Sequence, residues 1–374
     1  MDLRIIKLAE ILVNYSCSIK KGERVLIDCY GFSPLPLLKA IIKEVYKAQG
    51  LPFFKIKENS VIREIIKNCQ LDQLKFMSEV ELLEIKGMDA YIGIRAYDNV
   101  NELADIDRGK INEYLKYYSE PVTEYRVDKT KWVVLRYPNN SMAQLANTSL
   151  EDFENFYFNV CNLDYSKMSF AMDNLVKLLN ETDKVKIIGP NTDLSFSIKN
   201  IPSIKCDGKN NIPDGEVFTA PVKDSVNGII FFNIPQIYQG ITFENIILEF
   251  KDGKVVKASC SGGKTENEKL NKILDIDSGA RFIGEFALGV NPYIIKPMKD
   301  GLFDEKINGS IHFALGKAYH EANNQNKSSI HWDLILIQTK EFGGGEIYFD
   351  GKLVRKDGLF ILESLKCLNP ENLK

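Results

Sequence analysis

Residues 24–56, RVLIDCYGFSPLPLLKAIIKEVYKAQGLPFFKI, decide the fold class of the first half of the chain. Arg24-Val25-Leu26-Ile27-Asp28 and Pro52-Phe53-Phe54-Lys55-Ile56 are short apolar runs with strand character. Between them lies a stretch of helical apolar spacing, with Ser33 as the expected N-cap, Pro34 at the first helical position and Gly50 just past the end. Strand, helix and strand in this order form a βαβ unit, whose two strands run parallel because the crossover returns the chain to the same end.

The pattern extends in both directions. Leu3 to Tyr15 is amphipathic, and Ala90-Tyr91-Ile92-Gly93-Ile94 and Lys131-Trp132-Val133-Val134-Leu135 are further strands separated by helical material. A mainly parallel sheet with flanking helices is expected. The loop Cys29-Tyr30-Gly31-Phe32-Ser33 has neither glycine-rich phosphate cradle, G-x-G-x-x-G or G-x-x-x-x-G-K-[ST], so nothing local supports a nucleotide. Helices are expected from Ser149 to Asn162, with Ser149 and Asp152 as a capping-box-like start, and from Ser166 to Leu179. After Lys184-Val185-Lys186-Ile187-Ile188-Gly189 the texture changes to short strands and tight turns, with hairpins at Lys251-Asp252-Gly253-Lys254 and Phe349-Asp350-Gly351-Lys352. The expectation is an α/β domain over residues 1–180 and a β-rich, largely antiparallel domain over 181–374 that carries the metal site.

Composition narrows the function classes. The 374 residues are 44% hydrophobic and 26% charged with net charge -3, so no basic excess exists to attract nucleic acid or an anionic membrane. The N-terminus mixes charge with apolar residues, unlike a secretory leader, and no apolar run reaches membrane-spanning length. Seven scattered cysteines without a Cys-x-x-Cys pair read as reduced thiols, and a cytoplasmic location is expected.

Only three histidines occur, and two of them stand in unusual company. His331 and Asp333 are two apart in the strand-like run Ser329 to Ile337, so both side chains leave one face. His312 lies in the apolar segment Ile311-His312-Phe313-Ala314-Leu315-Gly316. Glu285 is the only charge in Ile283-Gly284-Glu285-Phe286-Ala287-Leu288-Gly289, and Glu216 follows the turn Pro213-Asp214-Gly215. A carboxylate in such a run needs a cation or strong donors. Each residue also has a plainer reading: a core histidine, a solvated strand end at Glu216, or pairing of Glu285 with Arg281. Three carboxylates and two imidazoles together exceed the three protein ligands usual for one catalytic zinc, and they fit two ions sharing a carboxylate. His320, in His320-Glu321-Ala322-Asn323-Asn324, is expected to be exposed.

With their flanks these residues become recognisable. NIPDGEVFTAP (211–221), GEFALGVNP (284–292), DEKINGSIHFALGKAY (304–319) and NKSSIHWDL (326–334) occur in order, and the chain resembles the thermophilic-type metallo-aminopeptidases, the family of aminopeptidases T and S and PepS. The resemblance implies that Glu216, Glu285, His312, His331 and Asp333 bind two catalytic divalent ions (zinc, cobalt or manganese), that Tyr319 lies at the active site, that short peptides are the substrates and that the protein is a homodimer. Glu285 is the chosen bridging carboxylate, Glu216 and His312 completing one ion's set and His331 and Asp333 the other's. Tyr319 would donate to the oxyanion. Along an ideal strand, however, it faces away from His312 seven positions earlier, so a bend near Gly316 is required. The chain departs from relatives at Ala322 to Lys327, where many have glycines, and at Asn191. Competing readings are a dinuclear hydrolase of another bond, such as a phosphoester, and a catalytically silent binding homologue.

Overall fold

The computed structural model describes residues 2–238 and 240–374. Contacts divide the chain into two compact units: the residues up to Asn162 together with Gly208–Ile212, and Leu163–Asp207 together with Pro213–Lys374.

In the first unit, Arg24–Tyr30 pairs in parallel with Leu51–Lys57 through the crossover helix Leu35–Lys47. Ala90–Arg95 pairs in parallel with the other side of Arg24–Tyr30, followed by Lys131–Arg136 and the two-residue strand Asn211–Ile212. The two central strands are almost wholly buried, and burial on both faces is why they read as unbroken apolar runs. The helix start differs from expectation. Pro34 takes the cap position without a side-chain bond, and Ser33 caps nothing. Pro34 and Pro36 carry no N–H, which leaves fewer orphan donors for a capping side chain to satisfy. At the other end Gln49, with φ 61°, makes the left-handed turn, while Gly50 provides space: a Cβ there would lie 3.0 Å from both Ile19 Cγ2 and Val45 Cγ1.

The second unit opens with the helix Tyr165–Glu181, capped by Asp164, which accepts from Lys167 N at 3.0 Å; Ser166 lies inside the first turn. This helix packs with the second unit although it precedes the change of texture near residue 180. An eight-stranded antiparallel sheet follows the order Lys254–Ser259, Ile246–Lys251, Asn227–Phe232, Thr192–Ser197, Lys184–Gly189, Glu346–Phe349, Lys352–Lys356, Leu359–Phe360. Both expected hairpins are present, with positive φ at Asp252 and Gly253 and at Asp350 and Gly351, the signature of a type I′ turn. Asn191, φ 51°, turns the chain after Pro190, a conformation asparagine tolerates better than most residues.

A second antiparallel sheet has the order His331–Ile337, Ser310–Gly316, Ile283–Gly289, Glu216–Thr219, Ile204–Cys206. Phe196 of the larger sheet meets Phe286 at 5.0 Å and Phe313 at 5.5 Å, and the last two stack at 5.1 Å. Each buried ring contributes roughly 1.5–3 kcal/mol. One face of the five-stranded sheet is thus committed to packing. The opposite face is where the polar residues stand.

Candidate metal centre

Paired residues on neighbouring strands share a face, and faces alternate along each strand. Phe286 is paired with Phe313, so both point to the packed side. Ala287 is paired with His312, Ala314 lies between Glu285 and Asp333, Gly316 is opposite His331 and Gly289 opposite Glu216. All five expected ligands therefore emerge on the other face, although they come from four strands. The alanines and glycines beside them leave the space the larger side chains fill. A register shift between Ile283 and Glu285 marks a bulge at the position of the central carboxylate.

The side chains converge into two overlapping groups, Glu216–Glu285–His312 and Glu285–His331–Asp333, each with one candidate ligand atom per residue within 4.8 Å of the others. Glu285 belongs to both. Its Oε1 lies 3.6 Å from His312 Nε2 and its Oε2 lies 3.1 Å from His331 Nε2. His312 Nε2 is also 3.6 Å from Glu216 Oε2, and His331 Nε2 is 3.5 Å from Asp333 Oδ1. Glu216, Glu285 and His312 are buried, whereas His331 and Asp333 are partly open. A cleft of about 200 Å³ lined by Gln236, Tyr238, Glu305, His331, Trp332 and Asp333 reaches that open half. Arg281, the alternative partner for Glu285, instead bonds Asp275 at 2.6 Å and Asn271 at 2.9 Å.

These residues suit a cation. Glu216 Oε2 and His331 Nε2 are buried with no aligned hydrogen-bond partner among the described residues. His331 Nδ1 donates to the Lys317 carbonyl at 2.7 Å, which fixes the ring and turns Nε2 toward the carboxylates, the arrangement usual for a metal-bound imidazole. Burial disfavours both imidazolium forms, yet the adjoining carboxylates prevail, holding His312 at about 9 and His331 at about 11. Burial likewise opposes ionisation of Glu285 and Asp333, but the imidazoles keep both below the usual carboxylate range. The field at the site strongly favours positive charge.

Tyr319 reaches the site by the required bend. Gly316 ends its strand at φ 102°, where a Cβ would lie 2.2 Å from Ile330 O, and Lys317 N then bonds Ile330 O at 2.7 Å. The Tyr319 ring comes to rest 4.5 Å from the His331 ring and 5.7 Å from Phe218, with the residue still 45% exposed. At the departure over 322–327, two buried side chains hold the loop. Asn324 Nδ2 donates to Pro221 O and Ile283 O, and Asn326 Nδ2 to Gly279 O and Gly316 O, so amides pin the loop that glycines would only permit.

Sequence reasoning missed Lys306. Its ammonium is buried, bonds Glu216 Oε1 at 2.8 Å and Glu305 Oε2 at 2.7 Å, and so leaves Glu216 Oε2 as the free oxygen facing His312. Burial raises Glu305 to about 8, with Lys306 opposing and Asp333 and Glu216 adding to the rise. The available signal was the charge triplet Asp304-Glu305-Lys306 set between Leu302-Phe303 and Ile307. Cys206 and Asp214 form a third group with Glu216, but burial and the carboxylates of Glu216 and Asp214 push the thiol well above its usual value, away from thiolate ligation. His320 is exposed and stands outside both groups. His320→Ala is expected to leave metal content and kcat/KM within about threefold of wild type, as for most surface changes; a hundredfold loss would mean the histidines are wrongly assigned.

Residues 1–357 match the thermophilic metalloprotease family, M29. Aminopeptidase 2 of Geobacillus stearothermophilus is 26% identical over 405 aligned residues, 94% of each chain. Aminopeptidase T of Thermus thermophilus is 34% identical over 157 residues, 38% of this chain and 37% of its own. The solved structure of wild-type AmpT from Thermus thermophilus shares the fold, with TM-score 0.80 over 96% of this chain and 99% of that one at 20% identity. With a match spanning almost its entire length, this chain belongs to the thermophilic metalloprotease family, M29.

Proposed function

We propose that this family member is a metal-dependent aminopeptidase that removes N-terminal residues from short peptides with two divalent ions per chain. The observation that carries the reading is the sharing of Glu285 between two ligand groups, one oxygen directed to each histidine. Glu216 and His312 would complete one ion's ligands and His331 and Asp333 the other's, with Glu285 bridging. Carboxylate and imidazole donors suit zinc, cobalt or manganese. Such ions lower the pKa of bound water toward neutrality and polarise a carbonyl.

The chain's own residues have separable tasks. Lys306 holds Glu216 by one oxygen, and the Lys317 carbonyl holds the His331 ring, so both ligands are oriented before anything binds. The cleft beside His331 and Asp333 gives a peptide access to the open half of the site. Tyr319 donates its phenolic hydrogen to the oxyanion that forms as the carbonyl carbon becomes tetrahedral. Burial and the carboxylates of Glu285 and Asp333 raise the phenol above its ordinary value, so the hydroxyl keeps its proton at neutral pH. The relatives named aminopeptidases support the substrate class. A homodimer and a cytoplasmic location belong to the same proposal.

Two measurements test it together. Elemental analysis should find about two divalent ions per chain, and metal-loaded protein should cleave aminoacyl-nitroanilides while leaving phosphoesters intact. Active protein without stoichiometric metal defeats the metal reading, and turnover of phosphoesters alone defeats the peptidase reading.

A further inference from the structure

The first unit contains a cavity of about 230 Å³. Topology sets its place. Leu51–Lys57 and Ala90–Arg95 flank Arg24–Tyr30 on opposite sides, so successive crossovers leave the central strand in opposite directions. Beyond the carboxyl ends of such strands the connections diverge and leave a crevice, the usual position for a ligand in an open parallel sheet. Asp28, Lys57 and Arg95, all near the carboxyl ends of their strands, line this cavity. Gly93 pairs with Asp28, and a Cβ there would lie 2.8 Å from Tyr91 Cε1 and 3.1 Å from Arg95 Nη2. Its bare backbone is what lets both side chains close over it on one face of the sheet, where Arg95 Nη2 donates to Tyr91 Oη at 2.6 Å.

Two polar groups are left incomplete. Asp28 is 3% exposed; its Oδ2 accepts from Tyr91 Oη at 2.7 Å and Lys57 Nζ at 3.3 Å, while its buried Oδ1 has no hydrogen-bond partner among the described residues. Arg126 stacks over Tyr91 at 4.6 Å and Trp132 at 5.7 Å, and its buried Nε also has no such partner. Buried polar groups are rarely left unpaired, so Asp28 calls for a donor and Arg126 for an acceptor. The Tyr91 ring separates them, hydroxyl toward Asp28 and face beneath Arg126. The remaining walls are largely apolar or aromatic, including Leu26, Ile85 and Val122.

We propose that this cavity binds a free α-amino acid with an apolar or aromatic side chain, its ammonium on Asp28 Oδ1, its carboxylate on Arg126 and its side chain against Leu26, Ile85 and Val122. The volume is below the roughly 300–1,000 Å³ of pockets for larger ligands. Both signs of charge line the cavity, Lys57, Arg95 and Arg126 beside Asp28 and Glu81, which suits a zwitterion, and the turn after Tyr30 offers no glycine-rich cradle for a phosphate. Amino acids are what an aminopeptidase releases, but the site stands on its own geometry and its test does not require catalysis.

Titration calorimetry of the full chain with L-phenylalanine is the direct experiment, repeated in Asp333→Ala, which opens the metal centre by removing one ligand and is expected to cost it one of its two ions. Binding is expected in both proteins, at least about tenfold weaker for 3-phenylpropionate, which lacks the ammonium, and for phenethylamine, which lacks the carboxylate. Arg126→Met keeps aliphatic bulk over Tyr91 and should weaken phenylalanine binding by about tenfold or more while metal content stays unchanged. The two analogues keep the test decisive if that variant folds poorly. No binding up to about 10 mM would overturn the proposal. So would equal affinity for the analogues, or binding lost in Asp333→Ala but kept in Arg126→Met, which would put the ligand at the metal centre.

Discussion

Asp333→Ala is expected to reduce bound metal from about two ions per chain to about one and to lower kcat/KM by about 10³, since a catalytic ion supplies several kcal/mol and each 1.36 kcal/mol is a factor of ten. The reason is local. Asp333 Oδ1 and His331 Nε2 stand 3.5 Å apart on the half of the site that borders the cleft, so removing the carboxylate leaves that ion with only Glu285 and His331. The buried group of Glu216, Glu285 and His312 stays whole and should keep its ion. Metal content measured beside steady-state kinetics separates ligand loss from misfolding, and excess cobalt or zinc should restore part of the rate. Retention of both ions and full activity would remove Asp333 from the site.

Tyr319→Phe should behave differently, keeping both ions while kcat falls by roughly 10²- to 10³-fold, the usual cost of one oxyanion donor. KM should change little, because the interaction forms only in the transition state. The ring packs 4.5 Å from His331 and 5.7 Å from Phe218, and phenylalanine preserves both contacts, so stability is not the variable. Wild-type kcat in this variant would make the tyrosine a packing residue. A fall in metal content would mean instead that it supports the ligands.

The fold was legible where local chemistry and tertiary setting agree. The apolar runs of 24–28 and 90–94 read as strands of a parallel sheet because burial on both faces leaves no polar alternation to mislead, and the strands extend to Tyr30 and Arg95. Asp-Gly pairs announced both hairpins because few other residues accept positive φ at two successive positions. Ends were less legible. Ser33 looked like a cap, but of the two donors it would serve Pro36 has no N–H and Leu35 N bonds the Phe32 carbonyl, and Asp164 rather than Ser166 starts the Tyr165–Glu181 helix.

From the sequence alone came the residue types of the site and the strand placing His331 and Asp333 on one face, because a period of two is a property of the backbone and needs no partner. The need for a bend after His312 could also be deduced before its form was visible. The choice of Glu285 as the shared carboxylate came with the family resemblance, but only the tertiary structure shows how it comes to lie between the two histidines, since pairing register and a bulge across four strands bring together residues as far apart as 216 and 333. It alone supplied the bend, through Gly316 at φ 102°, and the buried Lys306 that holds Glu216. A lysine's position in the chain carries no record of which distant carboxylate desolvates with it, because that choice is made by packing.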